Sequence, residues 1–294
     1  MRYVITHITT FRYDAPMRYA RCNLRLRPFD WDGQILDSFD LAVDPHPSST
    51  RRSRVAGYPG KVERIVVERP TRELVITSRS SLRVDRPVPS PLPGDPSVAE
   101  IAALVRESTD LSMTGPANYL HASPMIALTP AITDWCAETM RPERGIVEAG
   151  YELTNRILKS FRYDGTATET RTTPAEAFEK KAGVCQDFAQ VMIAGCRGLG
   201  LPAAYVSGYI RTIPPPGKPR LVGADATHAW VLLWCGPDRG WIGFDPTNGI
   251  YMASDHIVTA VGRDYADIAP IDGIFVGQSG QKIDVSVDVA PEEA

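Results

Sequence analysis

The segment Pro87-Val-Pro-Ser-Pro-Leu-Pro-Gly-Asp-Pro96 places five prolines in ten residues. Proline fixes φ and lacks a backbone N–H, so this run can form neither a helix nor a central strand. Residues 87–97 therefore read as an interdomain linker, and the hydrophobic periodicity differs on its two sides. Before it, residues 1–86 alternate apolar and polar positions over 3–13, 36–43, 62–68 and 74–84, with Pro and Gly between, which predicts the strands of a small β-sandwich.

After the linker the repeat becomes helical, over residues 101–105, over 129–138 with a proline in the first turn, and over 146–161. Thr173-Pro-Ala-Glu176 is a helix start, with a capping threonine, proline at the first position and a glutamate three residues on. Next comes Gly183-Val-Cys-Gln-Asp-Phe-Ala-Gln190, the head of a helix whose apolar run continues to Cys196. Leu199-Gly-Leu-Pro202 stops that helix, and residues 203–210, 228–234 and 240–245 read as strands, the last two joined by the turn Gly236-Pro-Asp-Arg-Gly240. Residues 213–219 form a proline-rich loop. The expected fold class is α+β: a β-sandwich-like domain over 1–86, a core of helices packed on an antiparallel sheet over 98–262, and a C-terminal β tail over 263–294. The tail carries strand patterns at 274–277 and 283–289 that the sequence alone assigns to neither domain.

Charge restricts the partners. In 294 residues, 32 Lys and Arg stand against 35 Asp and Glu, a net charge of -3, so no global field draws the chain onto nucleic acid or an anionic membrane. The one basic cluster, Arg51-Arg-Ser-Arg54, reads as a solvated loop. The N-terminus alternates like a strand and has no signal core, and no apolar run reaches membrane-spanning length, so a cytoplasmic location is expected. Five widely spaced cysteines, an odd number, argue for reduced thiols rather than a disulfide scaffold or structural zinc. His7, His46, His121 and His256 have no companion cluster in the sequence, and neither a metal site nor a cofactor is expected.

A cysteine is ordinarily a small core hydrophobe, and Cys196 and Cys235 read that way. Cys185 differs because it opens a helix, where free N–H groups and the positive dipole end favour a thiolate and can face a developing oxyanion. The preceding Gly183 suits close approach of a substrate backbone. His228 begins one strand and Asp245 ends the next, so an antiparallel hairpin puts imidazole and carboxylate at one rim of the sheet. A nucleophile, a base and a group that orients the base are what covalent acyl transfer requires. Asp187, Tyr205, Tyr209 and Trp230 are candidate substrate contacts, each with a structural alternative: helix-dipole pairing for Asp187, core or rim packing for the aromatics.

These pieces together resemble the transglutaminase-like superfamily of papain-related cysteine enzymes, specifically its bacterial group with a β-rich N-terminal region. The resemblance lies in Phe161-Arg-Tyr163, Gly183-Val-Cys-Gln-Asp-Phe-Ala189, Leu201-Pro-Ala-Ala-Tyr-Val-Ser-Gly-Tyr209, Thr227-His-Ala-Trp230 and Trp241-Ile-Gly-Phe-Asp-Pro-Thr-Asn248. It extends to His7-Ile-Thr-Thr-Phe-Arg-Tyr13 and Leu24-Arg-Leu-Arg-Pro28, and so covers nearly the whole chain. It implies Cys185 as nucleophile, His228 as general base and acid, Asp245 as its orienting partner, and a thioester resolved by water or an amine. Bacterial members are commonly regarded as cysteine proteases or amidases, which points to hydrolysis of a peptide, a peptide-like polymer or a protein. Transamidation and a non-catalytic peptide-binding module are the alternatives, and a homo-oligomer is left open. Trp135 lies 50 residues before Cys185 on a helical segment and receives no role; the Cys185 backbone N–H is the expected oxyanion donor.

Overall fold

The computed structural model describes residues 1–54, 57–212, 227–277 and 280–292. The proline-rich loop at 213–219 lies outside the described residues. The N-terminal region folds as β1 (Arg2–Met17), β2 (Tyr19–Leu24), β3 (Gln34–Asp44), β4 (Ser49–Arg54), β5 (Lys61–Val67) and β6 (Thr71–Val84). Alternation along β1 and β6 buries Phe11, Leu74 and Ile76 on one face, where they meet Cys22 and Leu24 of β2 and Ile65 and Val67 of β5. The period-2 pattern thus becomes the inner layer of a sandwich.

Helical structure starts at α1 (Val98–Arg106), whose Ser97 and Glu100 form a capping box. Then follow α2 (Pro130–Ala137), α3 (Ile146–Ser160), β7 (Arg162–Tyr163), α4 (Pro174–Lys180), β8 (Ala182–Gly183) and α5 (Cys185–Gly198). The start of α4 has the capping box that Thr173 and Glu176 predict. The core sheet comes next: β9 (Ala203–Ile210), β10 (Thr227–Trp234), β11 (Trp241–Asp245), β12 (Ile250–Tyr251) and β13 (His256–Gly262), antiparallel in the order β12-β11-β10-β9-β13. α5 is buried from Asp187 to Arg197, with α2 and α4 against it on one side and β9 and β10 on the other. The fold is mixed α+β, as the sequence implies.

A short helix, α6 (Tyr265–Ile268), leads to β14 (Ile271–Val276) and β15 (Gln281–Pro291). Both strands return to the N-terminal region: β15 pairs with β1 from Tyr3↔Pro291 to Tyr13↔Gln281, and β14 pairs with β2 from Leu24↔Ile271 to Tyr19↔Val276. The two four-stranded sheets, β15-β1-β6-β3 and β14-β2-β5-β4, therefore each contain one C-terminal strand. Arg51-Arg-Ser-Arg54 is not a loop but part of β4, an edge strand paired with β5. Its exposed charges leave the outer side of the sheet hydrated, a common way to protect an edge from further pairing.

The N-terminal sheets and the core share buried surface. Tyr3, Ile5, Leu82 and Val84 pack with Tyr209, Ile257, Val287 and Val289. Beyond β6 the buried Arg86 guanidinium donates to the carbonyls of Asp32, Ala253 and His256, which anchors the chain where the proline-rich segment begins. Among the described residues, no helix is long and apolar enough to cross a membrane.

Candidate active site

Local sequence places the thiol. Val184 is extended at the N-cap of α5, and Asp187, three residues on, accepts its N–H at 2.8 Å, the reciprocal half of a capping box. Thr168 donates its hydroxyl to the same carboxylate oxygen at 2.6 Å. The strand entering the helix is fixed by parallel pairing of Tyr163 with Gly183. A Cβ on Gly183 would lie 2.4 Å from Asp187 Oδ2, so this glycine makes room for the folded-back carboxylate. Cys185 is half-buried at the first helical position. Its backbone N–H and that of Gln186 have no acceptor among the described residues, as first-turn N–H groups have no intrahelical partner.

Strand register places the other two groups. β10 and β11 are antiparallel with Val231 opposite Phe244, which brings His228 and Asp245 to one rim. His228 Nε2 lies 2.8 Å from Asp245 Oδ2. Cys185 lies close enough to the same ring to raise its pKa, while Asp245 holds Nε2. Trp230 stacks beside the His228 ring at 5.9 Å between centroids. Gly208, opposite His228 on β9, admits this packing, because a Cβ there would stand 2.7 Å from the indole.

The electrostatics favour charge on both members of the pair. Burial alone would lower the His228 pKa, but the Asp245 carboxylate and Cys185 outweigh it and push it up to about 10. Burial would likewise raise Asp245, yet the charge and hydrogen bond of His228, with a further bond from His256, hold it far below the usual carboxylate range. Asp245 is fully buried and saturated with donors. Oδ2 accepts from His228, from Asn248 Nδ2 at 2.7 Å and from His256 Nε2 at 3.2 Å, while Oδ1 accepts the backbone N–H groups of Thr247 and Asn248.

His256 corrects the sequence reading, which found no companions for it. It begins β13, and its Nε2, His228 Nε2 and Asp245 Oδ2 all lie within 4.8 Å of one another. Such a set has the composition of a metal site, but N–H groups already bridge it. The Ala253 N–H donates to His256 Nδ1 at 3.3 Å, so the ring proton sits on Nε2 and points at Asp245. A signal for β13 was present in the β-branched run Ile257-Val-Thr-Ala-Val261; its contact with Asp245 crosses the sheet and has no local signature.

The candidate substrate contacts are all buried. Burial raises the Asp187 pKa against the pull of Thr168 and Val184, and its carboxylate caps the helix. Tyr205 is packed in the core against Tyr265, Tyr209 bonds His7 and the Leu26 carbonyl, and Trp230 donates to Met252 Sδ. Trp135 is on α2, against Phe161 and Phe178. A cavity of about 190 Å³, lined by His7, Thr227, Tyr265 and Ile283 among others, opens one residue from His228 where the N-terminal sheet meets the core.

Known proteins share this architecture. Residues 133–246 match the transglutaminase-like superfamily and residues 3–83 the bacterial transglutaminase-like N-terminal region. An uncharacterized Mycobacterium tuberculosis protein is 37% identical over 296 residues, covering 99% of this chain and 93% of that one. A protein-glutamine gamma-glutamyltransferase of Pseudomonas aeruginosa is 38% identical over 129 residues, 44% of this chain and 19% of that one. A Cytophaga hutchinsonii structure, provisionally assigned as a cysteine protease, superposes with a TM-score of 0.72 at 18% identity, covering 100% of this chain and 92% of that one.

Proposed function

The chain belongs to the transglutaminase-like superfamily, and from that premise we propose that it is a cysteine-dependent hydrolase of peptide or related amide bonds. The observation that carries this reading is the meeting, at the open end of α5, of Cys185 with His228, whose ring is hydrogen-bonded to the buried Asp245 carboxylate. The Cys185 thiolate attacks the amide carbon, and the first-turn N–H groups of α5 stabilise the oxyanion. The C–N bond breaks as the amine takes the proton of the His228 imidazolium. His228 then removes a proton from water, which attacks the thioester, and the acid leaves as the thiolate returns. Asp245 stays ionised throughout and holds the imidazole in orientation.

A second reading, transfer of the acyl group to an amine, is supported by the 38% identity with the Pseudomonas aeruginosa transferase over 129 residues. Both routes share every step up to the thioester. Incubating the purified protein with a peptide pool, with and without a primary amine, separates them by mass: free acid for hydrolysis, amide conjugate for transfer. Absence of either product, together with a Cys185 inert to iodoacetamide at neutral pH, would leave a peptide-binding module and defeat both enzymatic readings.

A further inference from the structure

Asp245 faces two histidines, and the acyl-transfer scheme uses one. His256 Nε2 is 3.2 Å from Asp245 Oδ2, the oxygen that also takes His228. Its ring cannot turn freely. Nδ1 accepts the Ala253 N–H, and Trp230 lies edge-on to the ring at 5.1 Å while stacking on His228. The ring is 1% exposed, so its Nε2–H has no water to prefer over Asp245.

The N-terminal sandwich holds this arrangement in place. Arg86 Nη1 donates to the carbonyls of His256 at 3.0 Å and Ala253 at 3.1 Å. Gln34 forms a two-way pair with the backbone of Val258, giving to its carbonyl at 2.9 Å and accepting its N–H at 2.8 Å. The Tyr3 hydroxyl donates to Asp255 at 2.8 Å. Three side chains from outside the core thus fix the start of the strand that carries His256.

We propose that His256 is a second, positioning histidine of the thiol site, whose Nε2–H fixes the Asp245 carboxylate for His228 and which the N-terminal sandwich holds in register. The inference rests on the triad reading above and adds a residue to it. A carboxylate that loses this donor in a buried site is freer to rotate and accepts a proton at higher pH. Either change removes the counter-charge of the His228 imidazolium and, with it, the thiolate partner at acid pH. The charged groups facing His256 are Asp245, His228 and Arg86, and of these only Asp245 receives its proton.

The test is iodoacetamide alkylation of Cys185 between pH 5 and 8, followed by mass spectrometry, in wild type, His256→Phe and His256→Gln. Phenylalanine keeps the ring and removes the donor; glutamine keeps an N–H near the position of Nε2. The expected result is a loss of about tenfold or more at pH 6 in His256→Phe and a rate within about threefold of wild type in His256→Gln. Equal rates in wild type and His256→Phe overturn this inference alone, and equal losses in both variants reduce His256 to a structural role. Wild type lacking acid-side reactivity overturns the triad reading and this inference with it. Should the variants fail to fold, ¹⁵N-histidine NMR of wild type at neutral pH decides: His256 is expected as the neutral Nε2–H tautomer, and an imidazolium or the Nδ1–H tautomer refutes the proposal.

Discussion

Helix α5 carries a cysteine near each end, and the two have opposite surroundings. Cys196 lies in the last turn, fully buried among α2 and the core sheet, where burial pushes its thiol up to about 12. Cys185 lies in the first turn, half-buried, beside N–H groups that have no acceptor among the described residues and an imidazole backed by a buried carboxylate. One residue type on one helix meets very different surroundings at its two ends, and the proposed nucleophile is the one whose sulfur lies beside free backbone N–H groups and an imidazole. The helix alone supplies half of that difference through its polarity, and β10 and β11 supply the rest.

The most direct way to break this contrast is substitution of the thiols. Cys185→Ala is expected to abolish amide turnover, by about 10⁴-fold or more, with peptide cleavage followed by mass spectrometry as the readout. Cys196→Ala should leave turnover within about threefold and lower the unfolding free energy by about 1 kcal/mol in denaturant titration. Comparable turnover losses in the two variants would remove the distinction between the helix ends.

Next in size is the effect of the imidazole. A free thiol with a pKa of about 8.5 is thiolate in about one molecule in 300 at pH 6. His228→Ala should therefore slow Cys185 alkylation at pH 6 by about 100-fold or more while changing it little at pH 9. A parallel profile in wild type and variant would show that no thiolate–imidazolium pair exists. Gly183→Ala probes the turn before the thiol: its Cβ would stand 2.4 Å from Asp187 Oδ2, so the cap must open. A loss of about 1–3 kcal/mol in stability is expected, together with slower alkylation of Cys185. Unchanged melting and alkylation would mean that the carboxylate can leave without consequence.

The smallest effect is the pH dependence of melting. The pKa of His228 is raised from 6.5 to about 10, so its contribution to stability is full below pH 6.5 and is lost as pH rises through 10. Asp245 is depressed below 3.8, so its contribution is present above that value and is lost on acidification. Burial lowers the His7 pKa from 6.5 to about 4, so the unfolded chain takes up that proton first and stability falls between those values as pH drops. Calorimetry should place the highest Tm near pH 6.5, falling by about 3 °C or more on either side, with the alkaline limb flattened in His228→Ala. An alkaline limb unchanged in that variant would detach the imidazole from the stability of the fold.

Much of the candidate site is legible in the sequence. Thr173 and Glu176, the helix stop at Gly200 and Pro202, and the turn between β10 and β11 are local signals, and they place Cys185, His228 and Asp245 on the right elements. Asp187 and Gly183 were harder. Both lie beside the nucleophile in sequence and look like substrate features, yet their side-chain space is used by each other. Tyr205, Tyr209 and Trp230 share the same difficulty, since an aromatic on a strand has two faces to choose from and the pattern alone does not say which one a helix or second sheet will cover.

The sequence by itself determined most of the helices and several strands, their caps and breaks, the α+β class and the placing of Cys185, His228 and Asp245 at element ends, because each depends on residues within a few positions or on spaced motifs read in order. Only the tertiary structure decided that β14 and β15 close the N-terminal sheets, that Tyr3, Gln34 and Arg86 grip β13, and that His256 meets Asp245. Those contacts join positions far apart in the chain. Their energy comes from hydrogen bonds and burial that exist only once two separately patterned surfaces have met, and neither surface encodes the identity of its partner.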